Sequence, residues 1–294
     1  MGKQIIFMYH SIESEEIPSV IGSFPLSFEK FKNHISLAMK HQYKFDFISN
    51  FHKNKNSCEN YIYITGDDGT RDWTRNILPW CEKNKIPTHT GIITGPLEKN
   101  PIYPLTHIIQ IILLTRDEKE LEKLCNKLKN DYLSFEQLEY INKIYFYEEL
   151  EYRRVIKGSF NLILEKEKSY EVLGKLQSNE YQFLEERFEN IDFYKNFQYA
   201  EIGVHTKSHW ALGNNIEDYI KNEILASKIF LEENRLNPTT YYVSPMKPRH
   251  GAKLEDLVEK LKEYGFDAIL DSNNGVWNKE DYIIPRIDCK NMPH

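Results

Sequence analysis

The sequence is poor in cysteine, glycine and proline. Its 294 residues include four widely spaced cysteines without a C-x-x-C pair, which argues against a zinc ribbon or a dense disulfide framework and favours reduced thiols in a cytoplasm. With only 13 glycines and 12 prolines, it is not a low-complexity chain. An apolar fraction of 40% instead predicts a folded globular protein.

Long apolar runs and basic stripes are also missing. A membrane-spanning helix needs roughly 18 consecutive apolar residues, and the nearest approach is the short stretch at 108–114. The first residues lack the apolar core and cleavage site of a signal peptide, so we expect a soluble, cytoplasmic protein. The net charge of -6 comes without a Lys/Arg stripe, which argues against nucleic-acid binding. No sequence feature indicates the oligomeric state.

Apolar, strand-like runs alternate with segments of helical periodicity. This alternation predicts right-handed crossovers and a largely parallel sheet, either closed as a barrel or open and doubly wound. Both architectures place functional residues at the carboxyl ends of strands. Strands are expected at 5–9, 61–65, 88–93, 200–204, 240–244 and 268–270, and helices at 28–41, 74–85, 216–234 and 254–264.

Residues 97–197 interrupt this alternation. The segment is rich in Glu, Lys, Leu and Tyr and shows helical spacing. A structureless loop of this length would be unusual in a compact domain. We therefore predict a helical insertion, a lid or small subdomain, within a single catalytic domain that spans 1–294. A peripheral decoration without function is an equally good alternative.

The strand at 61–65 is followed by two adjacent carboxylates, Asp67 and Asp68. Adjacent side chains at a strand end point apart, so one carboxylate can bind a cation while the other accepts a proton. Taken alone, Asp-Asp-Gly also fits an ordinary turn.

A second polar segment follows the strand at 200–204. His205 and His209 are four residues apart, a spacing that places both imidazoles on one side of a helical turn. They suit a shared metal ion with Asp68 as the third ligand. Zinc is the default ion for this set, and manganese, cobalt or nickel can bind it as well. Taken alone, the pair also fits two ordinary surface histidines.

The first strand ends at a histidine, His10. A histidine in this place can protonate a leaving amine. A lone histidine at a strand end is more often a structural hydrogen-bonding residue, so this assignment depends on the other two segments.

These segments resemble the polysaccharide deacetylases of carbohydrate esterase family four. The family motif Thr-Phe-Asp-Asp-Gly is matched by TGDDG at 65–69 except at its second position, and His-Ser/Thr-x-x-His by HTKSH at 205–209. YH at 9–10 and PRI at 285–287 are similar to motifs of members with a permuted barrel. The resemblance implies an α/β fold, a distorted parallel (β/α) barrel of the polysaccharide deacetylase type with a helical insertion.

The resemblance also implies a role for each site residue. Asp67 is the expected general base and His10 the general acid. Arg286 is expected to orient Asp67 through a charge-assisted hydrogen bond, with a surface ion pair as the alternative. The expected ligands of one divalent metal ion are Asp68, His205 and His209.

Departures from the family pattern affect the expected specificity. Gly66 replaces an aromatic residue, and THTG at 88–91 replaces a run that is usually Ala-Thr-Phe-Phe, so the barrel interior is expected to be roomier or more polar. The usual Tyr-Pro-Tyr-Gly is absent, and Lys247, Arg249 and His250 occupy its place. They can form a cationic patch for the phosphate of a nucleotide- or lipid-linked sugar, or a solvated loop.

The first functional hypothesis is removal of an N-acyl group, usually acetyl, from an amino sugar in a cytoplasmic glycan precursor. Deacetylation of a polysaccharide polymer is the closest alternative. An inactive carbohydrate-binding protein is a third, against which the intact site residues argue, and hydrolysis of a formamide uses the same groups. Four residues near the motifs are candidate pocket walls, with ordinary core or surface positions as the favoured alternative: Tyr103, His107, Trp210 and Trp277.

Overall fold

The computed structural model describes residues 2–17, 25–249, 251–273, 275, 277 and 281–292. The strands, in chain order, are β1 (Gln4–Tyr9), β2 (Ile12–Glu13), β3 (Leu26–Ser27), β4 (Lys44–Phe45), β5 (Tyr61–Gly66), β6 (Thr88–Ile92), β7 (Ala200–Val204), β8 (Pro238–Val243), β9 (Ala268–Asp271), β10 (Ile283–Pro285) and β11 (Ile287–Asp288).

The α-helices, in chain order, are α1 (Phe28–Lys40), α2 (Arg71–Asn84), α3 (Leu105–Thr115), α4 (Glu118–Asp131), α5 (Phe135–Ile144), α6 (Glu151–Gly158), α7 (Lys166–Leu173), α8 (Ser178–Arg187), α9 (Ile216–Tyr219), α10 (Ala226–Glu233) and α11 (Val258–Glu263). Shorter helical turns occupy Ile48–Asn50, Lys53–Asn56, Gly95–Leu97, Ser159–Ile163, Ile191–Asn196, Ile220–Leu225, Leu254–Leu257 and Cys289–Asn291. No described helix combines the length and the apolar character that crossing a membrane requires.

The main sheet is parallel and curls into a nearly closed barrel. Its strands pair in the order β10-β9-β8-β7-β6-β5-β1-β11, and β4 pairs with the start of β5. The two end strands of this path, β10 and β11, are separated along the chain by one residue, Arg286. The end strands are therefore neighbours in the chain, which brings the two edges of the sheet together and confirms the predicted barrel.

Both faces of the barrel strands are buried, as parallel sheets require. Tyr241 and Val243 of β8 belong to the apolar cluster inside the barrel. Tyr242, which lies between them in sequence, instead packs in a cluster with Leu257 and Leu261 of the surrounding helical layer. This alternation follows from the period of two along a strand.

The predicted helices are present, with small differences at their ends. Ser27 caps α1, because its Oγ accepts a hydrogen bond from Lys30 N at 3.2 Å. α2 begins at Arg71, three residues before the predicted start. The predicted helix at 216–234 is built from α9, a π-helical turn and α10 in direct succession.

The chain between β6 and β7 contains the helices α3 to α8. Their buried apolar side chains form a cluster that draws its buried members from this segment alone, from Leu105 to Leu184. A separate core of this kind is what a small helical unit needs to hold its own shape.

Gly66 does not enlarge the barrel interior. It faces α2, where an added Cβ atom would lie 2.0 Å from Cε2 of Trp73. The Trp73 ring is fully buried, and its Nε1 donates a hydrogen bond to Thr90 Oγ1 at 3.0 Å. The expectation of extra room at this position is therefore wrong, because an indole from the helix fills the space beside the glycine.

A polar side chain of β6 lies in the barrel interior. Gly91 faces Val243 of the interior cluster, so His89, two residues earlier, shares that face. The His89 ring packs on Gly203, where a Cβ atom would lie 2.3 Å from its Cε1, and its Nε2 lies 3.0 Å from Thr239 Oγ1. Burial lowers the pKa of His89 to about 3, so the ring is neutral at neutral pH.

Candidate active site

Six side chains that the sequence singles out meet at the carboxyl ends of the barrel strands. They follow β1, β5 and β7, or lie between β10 and β11. Parallel strands end on one side of the sheet, so the fold collects residues that are distant in sequence. The six residues are His10, Asp67, Asp68, His205, His209 and Arg286.

Asp67 points towards a buried guanidinium. Nη1 and Nη2 of Arg286 donate hydrogen bonds to its two carboxylate oxygens at 2.7 Å each. Burial opposes the charged form of Asp67, but the charge and hydrogen bonds of Arg286 outweigh that effect and lower the pKa of the carboxyl. The Arg286 and Asp67 side chains are 0% and 2% exposed, so this pair is not a surface ion pair.

Arg286 is itself fixed by two neighbours. Its Nε donates to the carbonyl of Asp271 at 3.0 Å, and Nη1 also donates to Thr65 Oγ1 at 3.1 Å. Arg286 is also the residue that separates β10 from β11. The junction that closes the barrel therefore supplies the partner of Asp67.

His10 also faces Asp67, from the end of β1. Its Nε2 lies 3.8 Å from Oδ2 of Asp67, and its side chain is 45% exposed. The other five site side chains are at most 12% exposed. His10 is therefore the member of the site that is most open to solvent.

Asp68 faces a different set of partners. Its Oδ1 lies 3.2 Å from Nε2 of His205 and 3.2 Å from Nε2 of His209. One ligand atom from each of the three residues lies within 4.8 Å of the others, a separation that one divalent ion can bridge. Nδ1 of His205 lies 2.9 Å from the carbonyl of Val243. That contact fixes the ring and leaves Nε2 for an ion.

The histidine segment is a loop and not the predicted helical turn. Thr206 and His209 adopt left-handed backbone angles, with φ of 65° and 55°, and Thr206 Oγ1 accepts a hydrogen bond from His209 N at 2.9 Å. Asp68 is also left-handed, with φ of 71°. Such angles are uncommon outside glycine and cluster at functional sites. Both loops that carry the candidate ligands are therefore locally strained.

The protonation states of Asp68, His205 and His209 depend on one another. Burial opposes the charged form of Asp68, but its histidine partners outweigh it and hold the pKa well below the usual value. Burial likewise opposes the charged form of His205, yet Asp68 raises its pKa, whereas burial lowers the pKa of His209. Ligation requires unprotonated Nε2 atoms, so binding of a metal ion competes with protonation of these two histidines.

The sequence does not assign two residues of the insertion that touch the candidate ligands. Nε2 of His107 lies 3.4 Å from Oδ2 of Asp68, and Oγ1 of Thr106 lies 3.1 Å from Nδ1 of His209. From sequence, His107 is a candidate pocket wall, with an ordinary core or surface position as the alternative. Its one distinguishing signal is a polar ring within the apolar run of α3, and such rings are common in ordinary cores.

The predicted cationic patch is only partly described. Lys247 is exposed, whereas Arg249 is 6% exposed. Nη2 of Arg249 donates to the carbonyls of Ile163 and Leu164 at 2.7 Å each. His250 lies outside the described residues. Arg249 thus joins the loop after β8 to the helical insertion, and phosphate binding by the patch stays a prediction.

No protein-family model and no curated protein matches the sequence. Solved structures do match, among them IcaB from Ammonifex degensii, with a TM-score of 0.58 at 12% identity over 98% of this chain and 92% of that chain. A de-N-acetylase from Aggregatibacter actinomycetemcomitans has a TM-score of 0.55 at 12% identity, covering 99% and 97%. BC0361, a polysaccharide deacetylase from Bacillus cereus, has a TM-score of 0.52 at 13% identity, covering 98% and 65%. The chain therefore has the polysaccharide deacetylase fold, which confirms the fold that the sequence motifs predict.

Proposed function

We propose that the protein is a metal-dependent hydrolase that removes an N-acyl group, usually acetyl, from an amino sugar. The division of the two adjacent carboxylates carries this proposal. Asp67 pairs with Arg286, while Asp68 faces His205 and His209. One loop thus supplies a base and a metal ligand, which is what hydrolysis of an unactivated amide needs. Structural similarity to a de-N-acetylase supports the reaction class.

The residues around Asp68 fit a divalent metal ion. Asp68, His205 and His209 would hold it through one carboxylate oxygen and two imidazole nitrogens. This donor set favours zinc and also accepts manganese, cobalt or nickel. When bound, the ion supplies Lewis-acid polarisation of the amide carbonyl and acidification of water.

Asp67 is the proposed general base. It is ionised at neutral pH because Arg286 lowers its pKa, so it is ready to accept a proton from the attacking water. The two hydrogen bonds of Arg286 restrict rotation of the carboxylate and hold it in one orientation. Arg286 is therefore a positioning residue that fixes the direction in which Asp67 accepts the proton.

His10 is the proposed general acid. It is the exposed member of the site and lies 3.8 Å from Asp67, close enough for both groups to act on one substrate amide. His10 donates a proton to the departing nitrogen. The products are a free amine on the sugar and a carboxylate. Asp67 accepts a proton from the water and His10 donates one to the departing nitrogen, so the two proton transfers use different residues.

In this proposal the whole chain forms one catalytic domain, and residues 97–197 are an insertion in it. The first substrate hypothesis remains a cytoplasmic glycan precursor, a nucleotide- or lipid-linked sugar. The contacts of Arg249 with Ile163 and Leu164 occupy one cation of the predicted phosphate patch. The alternative substrate, an N-acetylated saccharide polymer without a phosphate, does not require this cation.

Amine release from a panel of substrates tests the proposal. The wild type and Asp67→Asn would be stripped with chelator, reconstituted with zinc, and incubated with N-acetylated monosaccharides, nucleotide-linked N-acetyl sugars, N-acetylated oligomers and an N-formyl amine. We expect the zinc-loaded wild type to release amine and Asp67→Asn to be slower by about 10²–10⁴-fold, the usual contribution of a general base.

The panel also separates the alternatives. Turnover of nucleotide-linked sugars alone supports the precursor hypothesis, and turnover of oligomers alone supports the polymer. Saccharide binding without amine release, or release that Asp67→Asn leaves unchanged, would contradict the proposed mechanism and favour a carbohydrate-binding protein.

A further inference from the structure

The first turn of α3 touches both kinds of candidate metal ligand. α3 is the first helix of the segment between β6 and β7, so its contacts connect the insertion to the barrel site. Thr106 meets His209, and the next residue, His107, meets Asp68. Two consecutive residues of the insertion thus reach two ligands that come from different barrel loops.

Thr106 occupies the position of an outer partner for His209. Its Oγ1 lies 3.1 Å from Nδ1 of His209, while Nε2 of the same ring faces Asp68 at 3.2 Å. His205 is held in the same way, with Nδ1 against the carbonyl of Val243. Ligating histidines commonly use one nitrogen for the metal and the other for a fixed partner. The barrel provides that partner for one histidine, and the insertion provides it for the other.

His107 faces the carboxylate oxygen that the two ligand histidines leave free. Its Nε2 lies 3.4 Å from Oδ2 of Asp68, whereas His205 and His209 face Oδ1. The ring is 2% exposed and stacks on Phe188, with centroids 5.3 Å apart and planes tilted by 29°. Phe188 follows α8 and forms a bridge to Thr70. Both ends of the insertion therefore hold this ring in place.

The contacts of His107 also distinguish it from a ligand. The set of atoms that lie within 4.8 Å of one another comprises Asp68, His205 and His209, and does not include His107. Its neighbour across the site is Oδ2 of the carboxylate. A hydrogen bond from Nε2 of His107 to Oδ2 would stop the Asp68 carboxylate from rotating and keep Oδ1 directed at the two histidines.

We propose that the helical insertion completes the metal centre, with Thr106 and His107 as positioning residues that hold His209 and Asp68 in ligating orientation. The inference rests on the proposed metal-dependent function, because it assigns the outer partners of that metal. It makes the insertion a part of the catalytic centre and not a peripheral decoration. Removal of either contact is expected to weaken metal binding before it changes the fold.

The test measures metal affinity directly, without an activity assay. Zinc dissociation constants would be obtained by chelator competition for the wild type, Thr106→Val, His107→Leu and His107→Gln. Thr106→Val keeps the side-chain shape and removes the hydroxyl, and His107→Gln keeps an N–H donor that His107→Leu removes. The control is Thr115→Val at the other end of α3, where Oγ1 is bound to the carbonyl of Ile111.

We expect Thr106→Val and His107→Leu to bind zinc about 10–100-fold more weakly than the wild type, the usual effect of losing an outer partner. His107→Gln should recover part of that loss, and Thr115→Val should bind like the wild type. Thermal unfolding of the chelated proteins shows which variants are folded. If His107→Leu does not fold, the more conservative variants Thr106→Val and His107→Gln still test the proposal.

The outcomes separate this inference from the proposed function. Wild-type affinity in folded Thr106→Val and His107→Gln, or an equal loss in Thr115→Val, would overturn the role of the insertion while leaving a metal-dependent enzyme. A wild type that binds no divalent ion would overturn both. Cobalt-substituted protein adds a second readout, because altered ligand orientation in the Thr106 and His107 variants is expected to change the visible absorption of the bound ion.

Discussion

Asp67 and Asp68 are neighbours in sequence, yet the fold gives them opposite kinds of partner. Asp67 forms two hydrogen bonds with Arg286, a permanent cation. Asp68 lies among imidazole nitrogens, those of His205 and His209 at 3.2 Å and that of His107 at 3.4 Å. Both carboxyl groups have lowered pKa values against the opposing effect of burial, so both are ionised, but for different reasons.

The difference in partners explains the difference in proposed role. A guanidinium stays protonated in proteins, so Arg286 compensates the charge of Asp67 permanently and leaves it as a base. Imidazoles can give up their protons and accept a metal ion in exchange. The charge that Asp68 needs can therefore come from a metal. The identity of the facing group, and not the carboxylate itself, separates base from ligand.

The largest expected effect comes from removing one of the candidate metal ligands that face Asp68. His205→Ala removes a ligand, so zinc affinity should fall by more than about 100-fold, because outer partners alone account for up to that amount. Amine release should fall to the level of the chelated wild type. Metal analysis after dialysis measures the first effect.

A matched histidine control lies outside the site. His52 has its Nδ1 2.6 Å from the hydroxyl of Tyr241, and His52→Gln should retain metal and activity. Equal metal loss in both variants would show that general destabilisation, and not ligand removal, is responsible.

Arg286→Met removes the guanidinium that pairs with Asp67. Removal of one member of a buried ion pair leaves an uncompensated charge and typically costs about 3–5 kcal/mol of unfolding free energy. Burial then acts on Asp67 against only His205 and His10, so the pKa of the carboxyl should rise. The acid limb of the pH profile of kcat/KM should therefore move to higher pH than in the wild type, whereas zinc affinity should change little.

The stability difference between wild type and Arg286→Met should depend on pH in a defined direction. Wild-type Asp67 has a depressed pKa, so its contribution is present above the unfolded value of about 3.9 and is lost as the pH falls through the folded value. In the variant, acid instead relieves the unpaired charge. The difference in unfolding free energy, measured by denaturant titration of chelated protein, should narrow as the pH falls from 7 towards about 4. A constant difference over that range would contradict the ion-pair account.

Gly66→Ala should affect the positions of Asp67 and Asp68 together. Gly66 directly precedes the two carboxylates, and its added Cβ atom would lie 2.0 Å from the Trp73 ring. Overpacking of this kind typically costs about 1–3 kcal/mol. We expect a lower melting temperature together with losses of zinc affinity and of activity. Relief of the stability loss in the double variant Gly66→Ala/Trp73→Leu would identify the indole as the cause, and the absence of relief would exclude it.

The smallest expected effect comes from Tyr194→Phe. The buried hydroxyl of Tyr194 donates to the carbonyl of Gly69 at 2.7 Å, so it supports the turn that carries both carboxylates. Loss of this hydrogen bond should lower the unfolding free energy by about 1–2 kcal/mol. Zinc affinity and activity should fall by similar, small factors. A change in zinc affinity alone, or in activity alone, would show that the turn does not position Asp67 and Asp68 together.

Sequence reasoning works best where strands end in polar residues. The alternation of strands and helices predicts the parallel barrel, and the motifs at 65–69 and 205–209 are brought to one end of it. The details of the loops are not predictable in this way. The spacing of His205 and His209 suggests a helical turn, but left-handed residues produce the observed arrangement, and helical periodicity carries no information about such angles.

Contacts between distant segments are the other part that the sequence does not predict. His107 is separated from Asp68 along the chain by α2, β6 and a loop, and nothing in the pattern around it distinguishes a site residue from a core residue. The packing of the Trp73 ring against Gly66 is equally unpredictable from sequence, because the glycine alone suggests an open interior. Both features depend on how two elements pack, which is known only once the fold is known.

The most direct test of the central claim compares Asp67→Asn with Asp68→Asn in zinc affinity and in amine release. The account predicts that Asp67→Asn retains zinc and loses activity, whereas Asp68→Asn loses zinc and activity together. Loss of zinc in both variants, or its retention in both, would contradict the division of roles between the two carboxylates.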